Sequence, residues 1–306
     1  MRTYLGTWQV TQTDGFWTGQ DISSAEAVIS SAVKAGIVGF DTAQGYGKGR
    51  SEQVLGKILR RFPSRSFYVD TKIMPSSKPV RDVLRSSLRN LSGIPIDCLY
   101  LHWPSSSFDN MDILEQMARL KEEGIVRKVG ACNLPLEMLE RVSDRFAASG
   151  MVFDRIQRPV SLLWTRELDE TLSFCRDAVI EVAVYSPSGM GLLSGKYRLP
   201  SDLPDARAEL FCFRPECIMH YHHLLDVIGD IAACHEASPT AVALAWTRQA
   251  GPDIVITGAR NVTQLKEDLE CTVELSQDEV LRLGSAAREL EDAGRKVCDN
   301  IFSYRW

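Results

Sequence analysis

Short apolar runs alternate with longer stretches whose apolar residues recur at helical spacing. The apolar runs fall at residues 4–8, 38–41, 67–72, 98–102, 126–131, 154–157, 179–185 and 254–257, each the length of a buried strand. Between them the pattern predicts helices at 23–35, 51–59, 80–91, 111–122, from about 135, and at 167–175, 216–235, 239–249, 261–271 and 276–290. In the 80–91 segment, Val83, Leu84, Leu88 and Leu91 share one helical face. Ser23 or Ser24 suits the N-cap of the first helix and Gly36 its end; Ser51 suits the cap of the second, with Glu52 in its first turn. Gly124 stops the 111–122 helix, and Pro135 suits a first helical turn. Eight strands alternating with helices point to a parallel β/α architecture. The count fits a closed (β/α)8 TIM barrel, a single domain over 1–306 with extended loops at its C-terminal rim. A doubly wound dinucleotide fold would want G-x-G-x-x-G after the first strand, and that motif is absent there.

A barrel gathers the C-terminal ends of all its strands on one side, where such enzymes hold their active sites. Asp41, Lys72 and His102 close the second, third and fourth runs, and Tyr46 follows in the Gly-rich loop after the second. Taken singly, each reads equally as a capping, rim or packing residue. Together they form a proton-handling set. A phenol donates a proton at neutral pH, and a neighbouring ammonium stabilises the phenolate left behind, lowering its pKa. Asp41 would anchor the Lys72 ammonium, and His102 would orient a carbonyl oxygen. This chemistry suits protonation of an oxygen while hydride reaches carbon, or the reverse.

Composition narrows the partners. The chain has 306 residues, 44% hydrophobic and 25% charged, with a formal net charge of -5. Those values fit an ordinary globular protein, and the mild acidity gives no reason to expect nucleic acid or an anionic membrane as partner. Eight scattered cysteines without a C-x-x-C pair read as thiols in a reducing compartment. The N-terminus lacks a signal-peptide apolar region, and no apolar run approaches the ~20 residues of a membrane span, so a cytoplasmic location is expected. His220, His222 and His223 with Cys217 match no zinc signature and read as helix surface, so no metal is expected. Residues 45–50 lack the P-loop pattern.

Several segments carry a resemblance: G-F-D-T-A-Q-G-Y-G-K-G-R-S-E at 39–52, D-T-K at 70–72, L-Y-L-H-W-P at 99–104, V-G-A-C-N at 129–133, V-Y-S-P-S-G-M-G-L-L-S-G at 184–195 and I-V-I-T-G-A-R-N-V-T-Q-L-K-E-D at 254–268. In order and spacing they resemble the aldo-keto reductase family over most of the chain. The resemblance implies a nicotinamide cofactor, a carbonyl or alcohol substrate, and a catalytic tetrad mapping onto Asp41, Tyr46, Lys72 and His102. Asn133 and Gln157 match positions that bind the nicotinamide carboxamide, and Tyr185 the aromatic that stacks on its ring. Cys132 stands where relatives usually carry Ser, and a thiol is the weaker donor. The stretch with Ser186, Pro187, Ser188, Gly189, Gly191, Leu193, Gly195 and Lys196 resembles the pyrophosphate cover. Gly258, Arg260, Gln264, Glu267 and Asp268 match the adenosine end. There Gly258 replaces a frequent Lys, Gln264 a frequent Arg, and Asp268 an Asn, while Arg260 offers a guanidinium suited to phosphate.

The family leaning is to NADP, with NAD as the alternative. Two other readings remain: a cofactor-binding regulatory subunit with little turnover, and a lyase using Lys72 as a Schiff base. Specificity is expected from the loops at 11–20, 105–110 and 196–215 and from the tail. Trp8, Phe16, Trp17, Trp103 and Trp164 are candidates to line the pocket.

Overall fold

The computed structural model describes residues 1–11, 15–165 and 167–302. Eight strands, β1 (Arg2–Gly6), β2 (Gly39–Asp41), β3 (Tyr68–Ile73), β4 (Ile96–Leu101), β5 (Val126–Cys132), β6 (Arg155–Pro159), β7 (Glu181–Tyr185) and β8 (Ile254–Thr257), are all parallel. They close into a barrel in chain order, β1 pairing with β8 through Arg2 opposite Ile254. The helices are α1 (Ile22–Lys34), α2 (Arg50–Leu59), α3 (Val80–Asn90), α4 (Asn110–Glu122), α5 (Leu136–Ala148), α6 (Leu168–Asp177), α7 (Ile218–Cys234), α8 (Pro239–Gln249), α9 (Val262–Leu269) and α10 (Gln277–Gly294). This is the (β/α)8 TIM barrel the alternation predicts. Among the described residues no helix is long and apolar enough to cross a membrane.

The apolar runs are buried because helices cover the outside of the sheet while side chains fill its interior. Phe40, Val69, Leu99, Val129, Ile156, Val182 and Val255 join the helix-facing core. Residues alternating with them point inward, where the packing is tight. A Cβ at Gly39 would overlap the Tyr4 ring, so only glycine fits opposite that tyrosine. The interior is also unusually polar: Arg155, Asp70, Lys72 and Gln157 are all buried there.

Local details differ from the expectations. Trp8 belongs not to β1 but to a 3-10 turn at Trp8–Val10, because the chain leaves the barrel at Gly6 and Thr7 bonds back to the Asp41 carbonyl at 2.9 Å. Asp21, not Ser23 or Ser24, caps α1 by accepting from the Ser24 amide. Ser51 does not cap α2. Gly49, at φ 86°, is the cap residue, and the buried Ser51 hydroxyl instead bonds Thr7 and Thr42. β7 begins at Glu181 because Val179, at φ 57° and exposed, lies in the preceding turn. Residues 12–14 of the 11–20 loop and residues 303–306 of the tail lie outside the described residues.

Candidate active site

The barrel assembles the tetrad from separate strands. Asp41 ends β2, Lys72 lies near the end of β3, and His102 follows β4, its amide bonded to the Ile73 carbonyl. Tyr46 opens the 3-10 turn Tyr46–Gly49. Lys72 Nζ donates to Asp41 Oδ1 at 2.5 Å, to the Thr42 carbonyl at 2.8 Å and to the Tyr46 hydroxyl oxygen at 3.3 Å. An ammonium has three hydrogens, so all are allotted. The third falls on the phenol oxygen, which leaves the phenol's own proton free to point into the cleft. Gln157 Nε2 holds the other Asp41 oxygen at 2.7 Å. The carboxylate is thereby fixed on both sides.

Electrostatics sharpen the assignments. Burial opposes the charge on Lys72, but Asp41 and Tyr46 outweigh it and hold the ammonium above its usual range. Burial pushes the Tyr46 phenol up to about 12, against the lowering by Lys72. The ammonium thus acts in the expected direction, yet desolvation outweighs it. The expectation of a net lowering is corrected on that ground. Burial and then Lys72 push His102 well below the usual imidazole range, which makes it a neutral ring at physiological pH. The Tyr46 and His102 rings lie 5.7 Å apart at 74°.

Beside the tetrad, Asn133 takes the left-handed region at φ 61°, which its short polar side chain tolerates. Its Nδ2 donates to the His102 carbonyl at 3.0 Å, and its Oδ1 accepts from the Tyr185 hydroxyl at 2.8 Å. Asn133 keeps a second N–H, and Gln157 keeps its Oε1 as acceptor. That donor and acceptor complement a carboxamide, so the residues present fit a nicotinamide next to Tyr185.

A cleft of about 460 Å³ runs from this corner across the rim. Of the tetrad, Asp41, Tyr46 and His102 line it, while Lys72 lies just behind the wall. Cys132, Asn133, Gln157, Tyr185, Ser186, Pro187, Ser188, Gly191, Lys196, Gly258, Arg260, Gln264, Glu267 and Asp268 line it as well. Gly189, Leu193 and Gly195 do not. Gly189 packs on Leu163, Leu193 is core, and Gly195 ends the 3-10 turn at φ 76°. Trp8, Phe16, Trp17 and Trp103 line the cleft together with Met74 and Phe302. Trp164 instead packs on Phe211 and faces a smaller cavity of about 100 Å³.

Arg207 is a wall residue that sequence reasoning missed. It is buried, donates to the Met190 carbonyl at 3.0 Å and forms a two-point pair with Asp205 at 2.8 and 2.9 Å. Its guanidinium lies over Trp17 at 5.0 Å and Tyr197 at 5.4 Å. It therefore ties the loop after β7 to the loop after β1. It sits in the 196–215 stretch, which has no periodic pattern to reveal a role. Gln9 was missed as well; its amide fills the space a side chain at Gly258 would need.

At the end of the cleft where the sequence resemblance places the adenosine, Arg260 donates to Gln20 Oε1 at 3.2 Å and to the Thr18 carbonyl at 2.9 Å. Burial raises Asp268 to about 6, although the Thr257 hydroxyl bonded to it at 2.5 Å works the other way. Of the His cluster, His220 lies 3.7 Å from Glu289 and His222 bonds the Arg198 carbonyl; no group of three His, Cys, Asp or Glu among the described residues is arranged to hold a metal.

A parallel (β/α)8 barrel with Asp41, Tyr46, Lys72 and His102 gathered at its rim is the architecture of a class of nicotinamide-dependent oxidoreductases. The profile of the Aldo/keto reductase family matches residues 3–288, and the chain belongs to that family. It is similar to the NADH-specific methylglyoxal reductase of Escherichia coli, 28% identical over 319 residues covering 95% of each chain. It is also similar to the chloroplastic pyridoxal reductase of Arabidopsis thaliana, 29% identical over 310 residues, 95% of this chain and 83% of that one. Among solved structures it resembles the glycerol dehydrogenase of Gluconobacter oxydans, with TM-score 0.79, 25% identity, and 94% and 92% of the two chains covered. The chain is thus an oxidoreductase that moves hydride between a nicotinamide cofactor and an aldehyde, a ketone or the corresponding alcohol.

Proposed function

We propose that Tyr46 is the general acid in carbonyl reduction and the general base in alcohol oxidation. Lys72 holds the phenol oxygen, Asp41 and Gln157 hold Lys72 in place, and neutral His102 orients the substrate oxygen. The observation that carries this reading is the Lys72 ammonium, with two hydrogens on Asp41 and Thr42 and the third on the Tyr46 oxygen. A bound nicotinamide supplies or accepts the hydride. Asn133, Gln157 and Tyr185 bind and orient that ring, and the aromatic side chains around Tyr46 exclude water from the reacting carbon. The same ion pair argues against a Schiff-base role, since the Lys72 amine is held protonated beside Asp41.

The substrate end of the cleft is formed by Trp8, Phe16, Met74, Trp103 and Phe302 around Tyr46 and His102, and these described residues contribute no ionised side chain of their own. This favours an uncharged carbonyl compound with an apolar or flat face, a sugar included, over a phosphorylated or carboxylated one. At the far end Arg260 attracts a 2′-phosphate, while Glu267 and Asp268 on the same wall repel it. NADP, toward which the sequence leans, and NAD are both accepted on this reading, with kcat/KM values within about tenfold of each other. That range corresponds to about 1.4 kcal/mol of discrimination.

The test is a parallel screen of NADH and NADPH against neutral aldehydes, ketones and aldoses, with phosphorylated and carboxylated analogues beside them. Turnover confined to neutral compounds with both cofactors supports the proposal. Cofactor binding without turnover on any carbonyl would favour a regulatory protein, and a preference far beyond tenfold would refute the charge argument.

A further inference from the structure

Directly below the tetrad, the barrel interior holds a second layer of buried charge that the proposed reaction does not use. Asp70 and Lys72 are two residues apart on β3, about 6.6 Å along the strand, and side chains at that spacing share a face. Asp70 is fully buried. Its Oδ2 accepts from Arg155 at 2.8 Å and from the Tyr100 hydroxyl at 3.3 Å. Its Oδ1, equally buried, has no hydrogen bond among the described residues. Half of the carboxylate is therefore buried without a donor from the described residues.

The groups that face Asp70 come from all round the barrel. Arg155 on β6 attracts it, Asp41 on β2 and Asp97 on β4 repel it, and Lys72 attracts it from above. Tyr4 on β1, Cys98 and Tyr100 on β4 and Cys132 on β5 are the other ionisable neighbours among the described residues. Behind Arg155, Glu181 on β7 pairs with it at 2.7 Å and with Lys128 of β5 at 2.5 Å. Burial holds the Asp70 carboxyl up to about 7, with Arg155 pulling the other way. It is consequently ionised over the alkaline range in which a phenol works as a base.

We propose that Asp70 is a positioning residue whose negative charge, one layer beneath Lys72, sets how readily the Lys72–Tyr46 pair gives up its proton. The inference rests on the tetrad roles proposed above. In a water-poor interior a charge at this separation couples to its neighbours far more strongly than it would in solvent. An anionic Asp70 stabilises the Lys72 ammonium and disfavours a phenolate, so both effects keep the proton on the pair. Neutralising Asp70 leaves Arg155 partly uncompensated and releases that proton at lower pH.

The experiment is the pH profile of kcat/KM for alcohol oxidation by the full chain, wild type against Asp70→Asn. The rate rises with pH as Tyr46 becomes available as a base. In the variant this alkaline limb is expected to move acidward by about one pH unit, which makes oxidation below the limb about tenfold faster relative to the variant's own plateau. The reductive profile should fall correspondingly earlier. A purely structural carboxylate would lower the plateau without moving the limb, and that result would overturn the proposal. If Asp70→Asn does not fold, Asp70→Ser, smaller and also neutral, is read the same way. Wild-type protein with no turnover of any carbonyl or alcohol would instead defeat the tetrad reading itself, so the two failures are distinguishable.

Discussion

The barrel contains two buried pairs of the same kind, Lys72 on Asp41 and Arg155 on Asp70, stacked one above the other. Each removes a cation and a carboxylate from water, and each is held by neighbours on several strands. They differ in where the cation's remaining hydrogens go. Arg155 directs its donors to the buried Asp70 and Asp97 and to the half-buried Glu181, none of which lines the cleft. Lys72 keeps one hydrogen for a phenol that lines the cleft. Burial alone therefore does not mark the pair we propose as catalytic. What distinguishes the upper one is a single hydrogen bond leading from the sealed charge to a group a substrate can touch.

Breaking the upper pair should have the largest effect on activity. Lys72→Met removes the donor on Tyr46 and leaves Asp41 with Gln157 and no cation. Turnover is expected to fall at least ~10²-fold, measured by steady-state kinetics, with a stability loss of about 3–5 kcal/mol by denaturant titration. Breaking the lower pair separates the two roles. Arg155→Met should lose stability on the same scale, about 3–5 kcal/mol, while the folded fraction still turns over; loss of all activity in correctly folded protein would blur the contrast.

Smaller effects come from the cleft wall. Arg207→Ala cuts the tie between the loops after β1 and β7, and the cofactor KM is expected to rise about tenfold with kcat little changed, since a buried charged hydrogen bond is worth about 1.5–3 kcal/mol. Glu267→Gln removes one repelling charge at the adenosine end and should raise the NADPH-to-NADH ratio of kcat/KM about threefold. The pH response gives a final check on the upper pair. With Tyr46 held up to about 12 by burial, the base form grows as pH rises. Alcohol oxidation is therefore expected to quicken through pH 7–10 while carbonyl reduction does not. His102, kept neutral by burial and Lys72, should add no imidazole inflection.

The tetrad was legible because a barrel turns sequence order into geometry. Where an apolar run ends, the chain reaches the rim, so Asp41, Lys72 and His102 could be brought together without knowing any contact. Cap residues were less legible. Ser51 looks like an N-cap, but its hydroxyl is used in the interior by Thr7, 44 positions away. The acidity of Tyr46 was read from its nearest charge, while the larger influence is desolvation by aromatic residues from several loops. Arg207 and the Arg155–Asp70 layer depend on partners far apart in the chain, 85 residues for the latter, and leave no periodic trace. The outline of the candidate site thus follows from the barrel's repeat, and its local electrostatics from contacts the repeat does not encode.

The central claim is that Tyr46 handles the proton. It is tested most directly by kcat for Tyr46→Phe with saturating NADPH or NADH and a turned-over aldehyde, alongside cofactor binding measured by fluorescence titration. The expected result is a fall of ~10²–10⁴-fold in kcat with cofactor affinity within about twofold of wild type. Wild-type turnover by the phenylalanine variant would contradict the account.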